Sequence, residues 1–123
     1  MTEQFTGGTS IYLQIAAMIE DHILRDILPE EEQAPSTNEL ARAYSINPAT
    51  AAKGLNLLVD EGILYKKRGI GMFVASGSKL KIVQKRKNNF FETYVKGLVH
   101  EAQTLAITKE ELLAMIEKAS QIK

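Results

Sequence analysis

Cysteine is missing from the chain altogether, so neither a disulfide nor a thiolate metal site can brace the fold. A chain without thiols suits a reducing cytoplasm. Histidine occurs only at His22 and His100, the first on the apolar side of a helix and the second in the tail. Neither has a partner at metal-ligand spacing. Glu30, Glu31 and Glu32 could hold a divalent cation, although a bare acidic loop is ordinarily solvated and weak. No glycine-rich loop precedes a helix in the way that cradles phosphate, because RGIG at 68–71 lies between two β-rich stretches. The expectation is therefore no catalytic residue, no cofactor and no metal, and the chain does not read as an enzyme. Apolar runs are short too, none approaching the roughly 20 residues that cross a bilayer. The opening MTEQFTGGTS lacks the basic and apolar regions of an export signal. A cytoplasmic protein with no membrane partner is expected.

An excess of either charge is likewise absent, with 15 Lys and Arg against 15 Asp and Glu. A zero total argues against a nucleic-acid partner, but the distribution argues the other way. From Met1 to Gly62 the bases are Arg25, Arg42 and Lys53, against ten acids. From Lys66 to Lys96 they are Lys66, Lys67, Arg68, Lys79, Lys81, Lys85, Arg86, Lys87 and Lys96, against Glu92 alone. A polyanion responds to the local potential, which salt screens within about 8 Å, and not to the sum. For Lys79 to Lys87 a solvated basic face remains an equal reading.

What is present suits one compact domain, or a small domain with an appendage: 123 residues, 45% of them hydrophobic. Residues 1–9 read as a flexible leader. Ser10 is a candidate N-cap for a first helix, IYLQIAAMIEDHILRDIL, with apolar residues at spacings of three and four. Pro29 and Pro35 bound the loop that follows. Ser36 and Glu39 have the spacing of a capping box at the start of STNELARAYS, which would bury Leu40, Ala41 and Tyr44. Asn47 and Pro48 open a third helix, and Gly62 closes it. ILYKK and MFVA around RGIG form a hairpin signal. From about Ser78 a helical pattern runs to Ala102, and Thr108 with Glu111 marks a second capping box before a last helix. That helix is expected to bury Leu112, Leu113, Met115, Ile116 and Ala119.

The third helix, PATAAKGLNLLVD, changes character along its length. Ala51, Leu55, Leu58 and Val59 share a face suited to a core. Ala49, Thr50, Lys53 and Asn56 share another, where small residues do nothing for packing. Short side chains let a backbone approach a groove floor, and a helix N-terminus offers free N–H groups to phosphate. The first two turns are therefore expected to enter a DNA major groove. Thr50 can offer a hydroxyl to phosphate or a methyl to thymine, Ala49 only apolar contact, and Lys53 can reach guanine or phosphate. Asn47 is explained by capping and has an even claim to DNA. Ser36, Thr37 and Asn38 suit phosphate oxygens, with capping as the alternative for Ser36. Lys66, Lys67, Arg68, Gly69 and Gly71 lie in the hairpin, where an arginine can reach a minor groove and glycines permit close approach. Gly54 reads as a packing residue.

These segments, IYLQIAAMIEDHIL, APSTNELA, INPATAAKGLNLLVDEGIL and KKRGIGMFV, resemble the DNA-binding domain of the GntR family of bacterial transcription regulators. The NP-x-T-x-x-K opening of the third helix, with a tail limited to residues 77–123, is similar to the YtrA subfamily. The resemblance implies a mainly α fold with a small β-hairpin: a winged helix-turn-helix over 10–76, then a helical dimerisation region over 77–123. It also implies a repressor that binds a palindromic operator as a homodimer. Asn38, Pro48 and Ala52 stand where many members carry Arg, Met72 stands in place of Thr, and PEEE replaces a Pro-Gly turn. Lys53 and the wing must then carry more of the readout.

Phe90, Phe91, Tyr94, Val95, Leu98 and Val99 make more apolar surface than a lone appended helix can hide. Folding back onto the winged helix is the alternative, but a bundle shared with a second copy, with Leu112, Met115 and Ile116 in it, is the better account. Phe90, Phe91 and Tyr94 could instead line a pocket for a small-molecule effector, whose identity the sequence does not name. The alternative to a DNA-binding regulator is a winged-helix protein-interaction module.

Overall fold

The computed structural model of the chain describes Phe5 and residues 10–122. Most of the expected leader lies outside the described residues; Phe5 packs its ring 5.3 Å from that of Tyr44. The elements run α1 (Ile11–Leu24), α2 (Thr37–Tyr44), α3 (Pro48–Asp60), β1 (Leu64–Lys67), β2 (Gly71–Val74) and α4 (Ser78–Phe90). A π-helical segment (Phe91–Val95), α5 (Lys96–Thr104) and α6 (Lys109–Ser120) follow. The chain divides into two compact units, residues 1–84 and 85–123. The division falls beyond Ser76 because the first turns of α4 belong to the first unit, where Ile82 is fully buried.

The first unit is built on one apolar cluster. Ile15, Ile19 and Ile23 of α1 meet Leu40 of α2, Ala51, Leu55 and Leu58 of α3, Ile63, Leu64, Val74 and Ile82. Gly54 is buried here, and a Cβ on it would lie 2.9 Å from the Tyr12 carbonyl and 3.1 Å from Ile15 Cγ2. The absent side chain is what lets α1 and α3 close, as expected of a packing glycine.

Helix starts follow the expected caps with one exception. Ser36 and Glu39 form the reciprocal box, at 3.1 Å and 2.8 Å. Thr108 and Glu111 repeat it, and the Asn47 side chain accepts from Ala49 N–H at 2.8 Å. Ser10 makes no side-chain cap; its carbonyl instead accepts from Leu13 and Gln14 N–H.

Helix ends differ more. The first helix stops at Leu24 and does not run on to Leu28, because Asp26 adopts φ +60° and Ile27 N–H turns back to the His22 carbonyl. Ile27, within the stretch expected to continue the helix, is consequently exposed. Gly62, at φ +74°, ends α3 in the same manner, with Ile63 N–H donating to the Leu58 carbonyl.

β1 and β2 pair antiparallel from Leu64 opposite Val74 to Lys67 opposite Gly71. The acidic loop runs alongside β2. Glu31 and Ala34 N–H donate to the Val74 and Met72 carbonyls, and Val74 N–H donates to the Glu32 carbonyl. Its side chains are occupied as well. Glu30 accepts from Gly77 and Lys79 N–H at the start of α4, and Glu31 accepts from the Tyr65 hydroxyl at 2.7 Å. The loop that could have held a cation works as an edge to the wing.

In the second unit Ala102 is buried, whereas Leu113, Met115 and Ile116 are exposed and Leu112 only half-buried. Ala119 is exposed too, so the expected burial of the last helix is not met within one chain.

Candidate nucleic-acid interface

α2 and α3 are joined by the three-residue link Ser45–Asn47, and the start of α2 lies beside the hairpin. The link is tight because Ser45 takes φ +54° and Ile46 N–H returns to the Ala41 carbonyl. Asn47 caps α3, so Ala49 and Lys53 stand exposed and Thr50 half-buried on the first two turns, while Ala51, Gly54 and Leu55 face inward. The slim face expected from the sequence is open.

Ser10, Ile11 and Tyr12, at the start of α1, line a recess together with Ala49, Thr50 and Lys53. Within it the Lys53 ammonium lies 4.1 Å from the centroid of the Tyr12 ring. Tyr12 is a residue the sequence reading missed. Its position reads as part of an amphipathic helix, and only the packing of α1 on α3 brings it to Lys53.

Ser36, Thr37 and Asn38 line a separate recess with Gln33, Ile70 and Gly71, so the start of α2 and the base of the wing loop share one surface. Gln33 was also missed. Its side-chain amide donates to the Ile70 carbonyl at 3.1 Å, and a Cβ on Gly71 would fall 2.6 Å from its Nε2. The Ser36 box leaves the Glu39 carboxyl below its ordinary pKa, chiefly through the bond from Ser36 N–H.

The wing turn is closed by Ile70 N–H donating to the Lys67 carbonyl, with Gly69 at φ +77° in the turn's third position. Arg68 and Gly69 are exposed at the tip. Lys67 stands with its ammonium 4.3 Å from the Phe73 ring centroid and 5.9 Å from that of Tyr65. Aromatic faces so hold the Lys67 ammonium, and all three wing cations, Lys66, Lys67 and Arg68, are exposed. Tyr65 donates to Glu31, which raises its own pKa.

The residues read as a self-association surface all fall in the second unit, Phe90 at the end of α4 included. Phe90, Phe91, Tyr94, Leu98, Val99, Met115 and Ile116 are exposed, and Val95 and Leu112 half-buried. Phe90 and Tyr94 pack ring to ring at 5.4 Å. Among the described residues no group of three His, Asp or Glu is gathered to hold a metal ion, and no helix is long and apolar enough to cross a membrane.

Three helices on one core, a short link before an open third helix and a basic hairpin beside it define a winged helix-turn-helix of the kind that binds DNA. The profile of bacterial regulatory proteins of the gntR family matches residues 11–74, and the chain belongs to that family, with YtrA-like character. It is 33% identical over 117 residues to the HTH-type transcriptional regulator YhcF of Bacillus subtilis, covering 95% of each chain. To the HTH-type transcriptional repressor YtrA of the same organism it is 30% identical, over 93% of this chain and 87% of that one. Among solved structures, a GntR-family regulator from Bacteroides thetaiotaomicron superposes with a TM-score of 0.75 at 38% identity, covering 90% and 96% of the two chains. The DNA-binding domain of AraR in complex with operator ORX1 gives 0.54 at 30% identity, covering 60% of this chain and 96% of that one. The protein is a DNA-binding transcriptional regulator and not an enzyme.

Proposed function

We propose that the chain is a repressor that binds a palindromic operator as a homodimer, working in the cytoplasm where the chromosome lies. Residues 10–76 engage DNA and 77–123 pair the two copies. The observation that carries this reading is the face of α3 on which Ala49 and Lys53 stand exposed on its first turns. In this reading Ala49, Thr50 and Lys53 meet base edges in the major groove. Ser36, Thr37, Asn38 and Asn47 meet phosphate, and Lys67, Arg68, Gly69 and Gly71 present the wing to the adjoining groove. The relative in complex with its operator supports the DNA partner, and the relative named as a repressor supports the direction of regulation. Effector control, if the tail's aromatic residues take a ligand, would act on the pairing of copies.

The test is selection of duplexes from a random library by the full chain, followed by titration of the recovered site at several salt concentrations. The expected result is an inverted repeat with half-sites about one turn, or a multiple of it, apart. Affinity should fall steeply with salt, each neutralised phosphate contributing about −0.9 to the slope of log K against log salt. Lys53→Ala and Arg68→Ala should each weaken binding about tenfold, the scale of one lost base or phosphate contact. No enriched duplex, or no salt dependence, would overturn the reading in favour of an interaction module.

A further inference from the structure

Lys53 is the one cation of α3, and its ammonium is not left to wander. It sits over the Tyr12 ring at 4.1 Å from the centroid, inside the distance at which an aromatic face attracts a cation. We propose that Tyr12 is a positioning residue for DNA readout: its ring holds the Lys53 ammonium at the groove-facing surface of α3, although Tyr12 belongs to α1 and lies outside the helix-turn-helix. The inference rests on the DNA-binding reading of Lys53 given above.

A free lysine samples many rotamers, and most of that freedom is lost when its ammonium meets a fixed acceptor. A ring that already confines the side chain reduces the loss incurred on binding. The ammonium carries three donors, so resting one side on a π-face leaves N–H groups for guanine O6 and N7 or for a phosphate oxygen. The geometry suits this use. Ala49 and Thr50 line the same recess as Tyr12 and Lys53, so the ring and the cation stand beside the slender first turns of α3. Asn56 and Asp60 line the further side of the groove in which Lys53 lies, with Tyr12 and Leu57. Tyr12 is half-buried, anchored by the packing that Gly54 permits against its carbonyl.

The effect expected of one exposed cation–π contact is a loss of about 2- to 5-fold in operator affinity for Tyr12→Leu. Tyr12→Phe keeps the ring and removes only the hydroxyl, and should bind as the parent does. The decisive measurement is a double-mutant cycle on the full chain, with the duplex recovered by selection as the probe. In a Lys53→Met background Tyr12→Leu should cost nothing further. A second readout needs no DNA: the Lys53 ε-methylene protons should be shifted upfield by the ring in the parent and in Tyr12→Phe, and not in Tyr12→Leu. An equal loss from Tyr12→Leu in the parent and in the Lys53→Met background would show that Tyr12 acts on its own account and overturn the proposal. So would ε-methylene shifts indifferent to the ring. Failure of the parent chain to enrich any duplex would instead strike the functional reading beneath it, and the role of Tyr12 with it.

Discussion

Gly54 and Ala106 invite opposite mistakes, and each gives a prediction. An alanine in place of a mid-helix glycine ordinarily gains about 1 kcal/mol. At Gly54 the new Cβ would meet the Tyr12 carbonyl at 2.9 Å and Ile15 Cγ2 at 3.1 Å. The first of these is backbone and can yield only if α1 and α3 part, which is overpacking at a cost of about 1–3 kcal/mol. Gly54→Ala should therefore destabilise the chain by about 1 kcal/mol net, read as a lower denaturant midpoint. Ala106 is the converse. It holds φ +57° at the end of α5, with Ile107 N–H donating to the Ala102 carbonyl at 2.8 Å. A left-handed alanine costs about 1–2 kcal/mol, partly offset by the greater unfolded freedom of glycine. Ala106→Gly should stabilise by about 0.5–1 kcal/mol, and a decrease in amide protection at Ile107 would refute it. These residues also explain what could be read in advance. Asn47, Ser36 and Thr108 were recognisable because capping chemistry is local to a few residues. The ends at Asp26, Ser45 and Ala106 were not marked by glycine, and only Gly62 announced itself. Tyr12 and Gln33 act across the fold, and nothing within their own segments signals it.

At the scale of elements, the loop between α1 and α2 does more than its composition suggests. α4 begins after Gly77, which has no side chain to cap it, and the Glu30 carboxylate supplies the missing acceptor to Gly77 and Lys79 N–H at 3.1 and 3.3 Å. Lys79 in turn reaches Asp26 at 2.9 Å. Glu30→Ala should cost about 1 kcal/mol, the usual loss of an N-cap, and appear first as faster amide exchange at Lys79. Glu30→Gln keeps an acceptor and should lose less. The capping boxes add a pH dependence. Glu39 and Glu111 are held below the ordinary carboxylate pKa, chiefly by the N–H groups of Ser36 and Thr108. A lowered folded pKa means that the stabilisation is complete at neutral pH and is lost as acid protonates the folded carboxyl. A carbon-detected titration should place both groups below the value of a free glutamate. Ser36→Ala keeps the Ser36 N–H that donates to Glu39 and removes only the hydroxyl, so Glu39 alone should rise part of the way toward that value, and a joint rise of Glu111 would show that the shift has another source. The wing hairpin, the helix order and the slim face of α3 were legible because periodicity and turn chemistry carry them. The pairing of the acidic loop with β2 was not, since three glutamates in a row describe a solvated loop unless a partner edge is known.

For the molecule as a whole, the question is what covers the tail. Phe91, Tyr94, Met115 and Ile116 are each about half exposed or more, at 55%, 65%, 51% and 45%. A monomer that keeps several large apolar residues of one small unit in water carries an aggregation liability unless a partner removes them. In the proposed homodimer a second copy would meet the need with closed symmetry, and would supply the second recognition helix that an inverted repeat demands. Tyr94→Asp and Ile116→Asp place a charge on that surface without touching the winged-helix core. Sedimentation of the parent should give twice the 13.7 kDa of one chain, and each variant should fall toward 13.7 kDa while its helical circular dichroism persists. Operator affinity should drop by about 100-fold or more, since linkage of two sites multiplies affinity by about 10²–10⁴ and its loss forfeits that factor. Binding to a single half-site should hardly change. A parent chain that sediments as a monomer at micromolar concentration would remove the dimer from the account. Variants that stay paired would move the contact elsewhere on the chain.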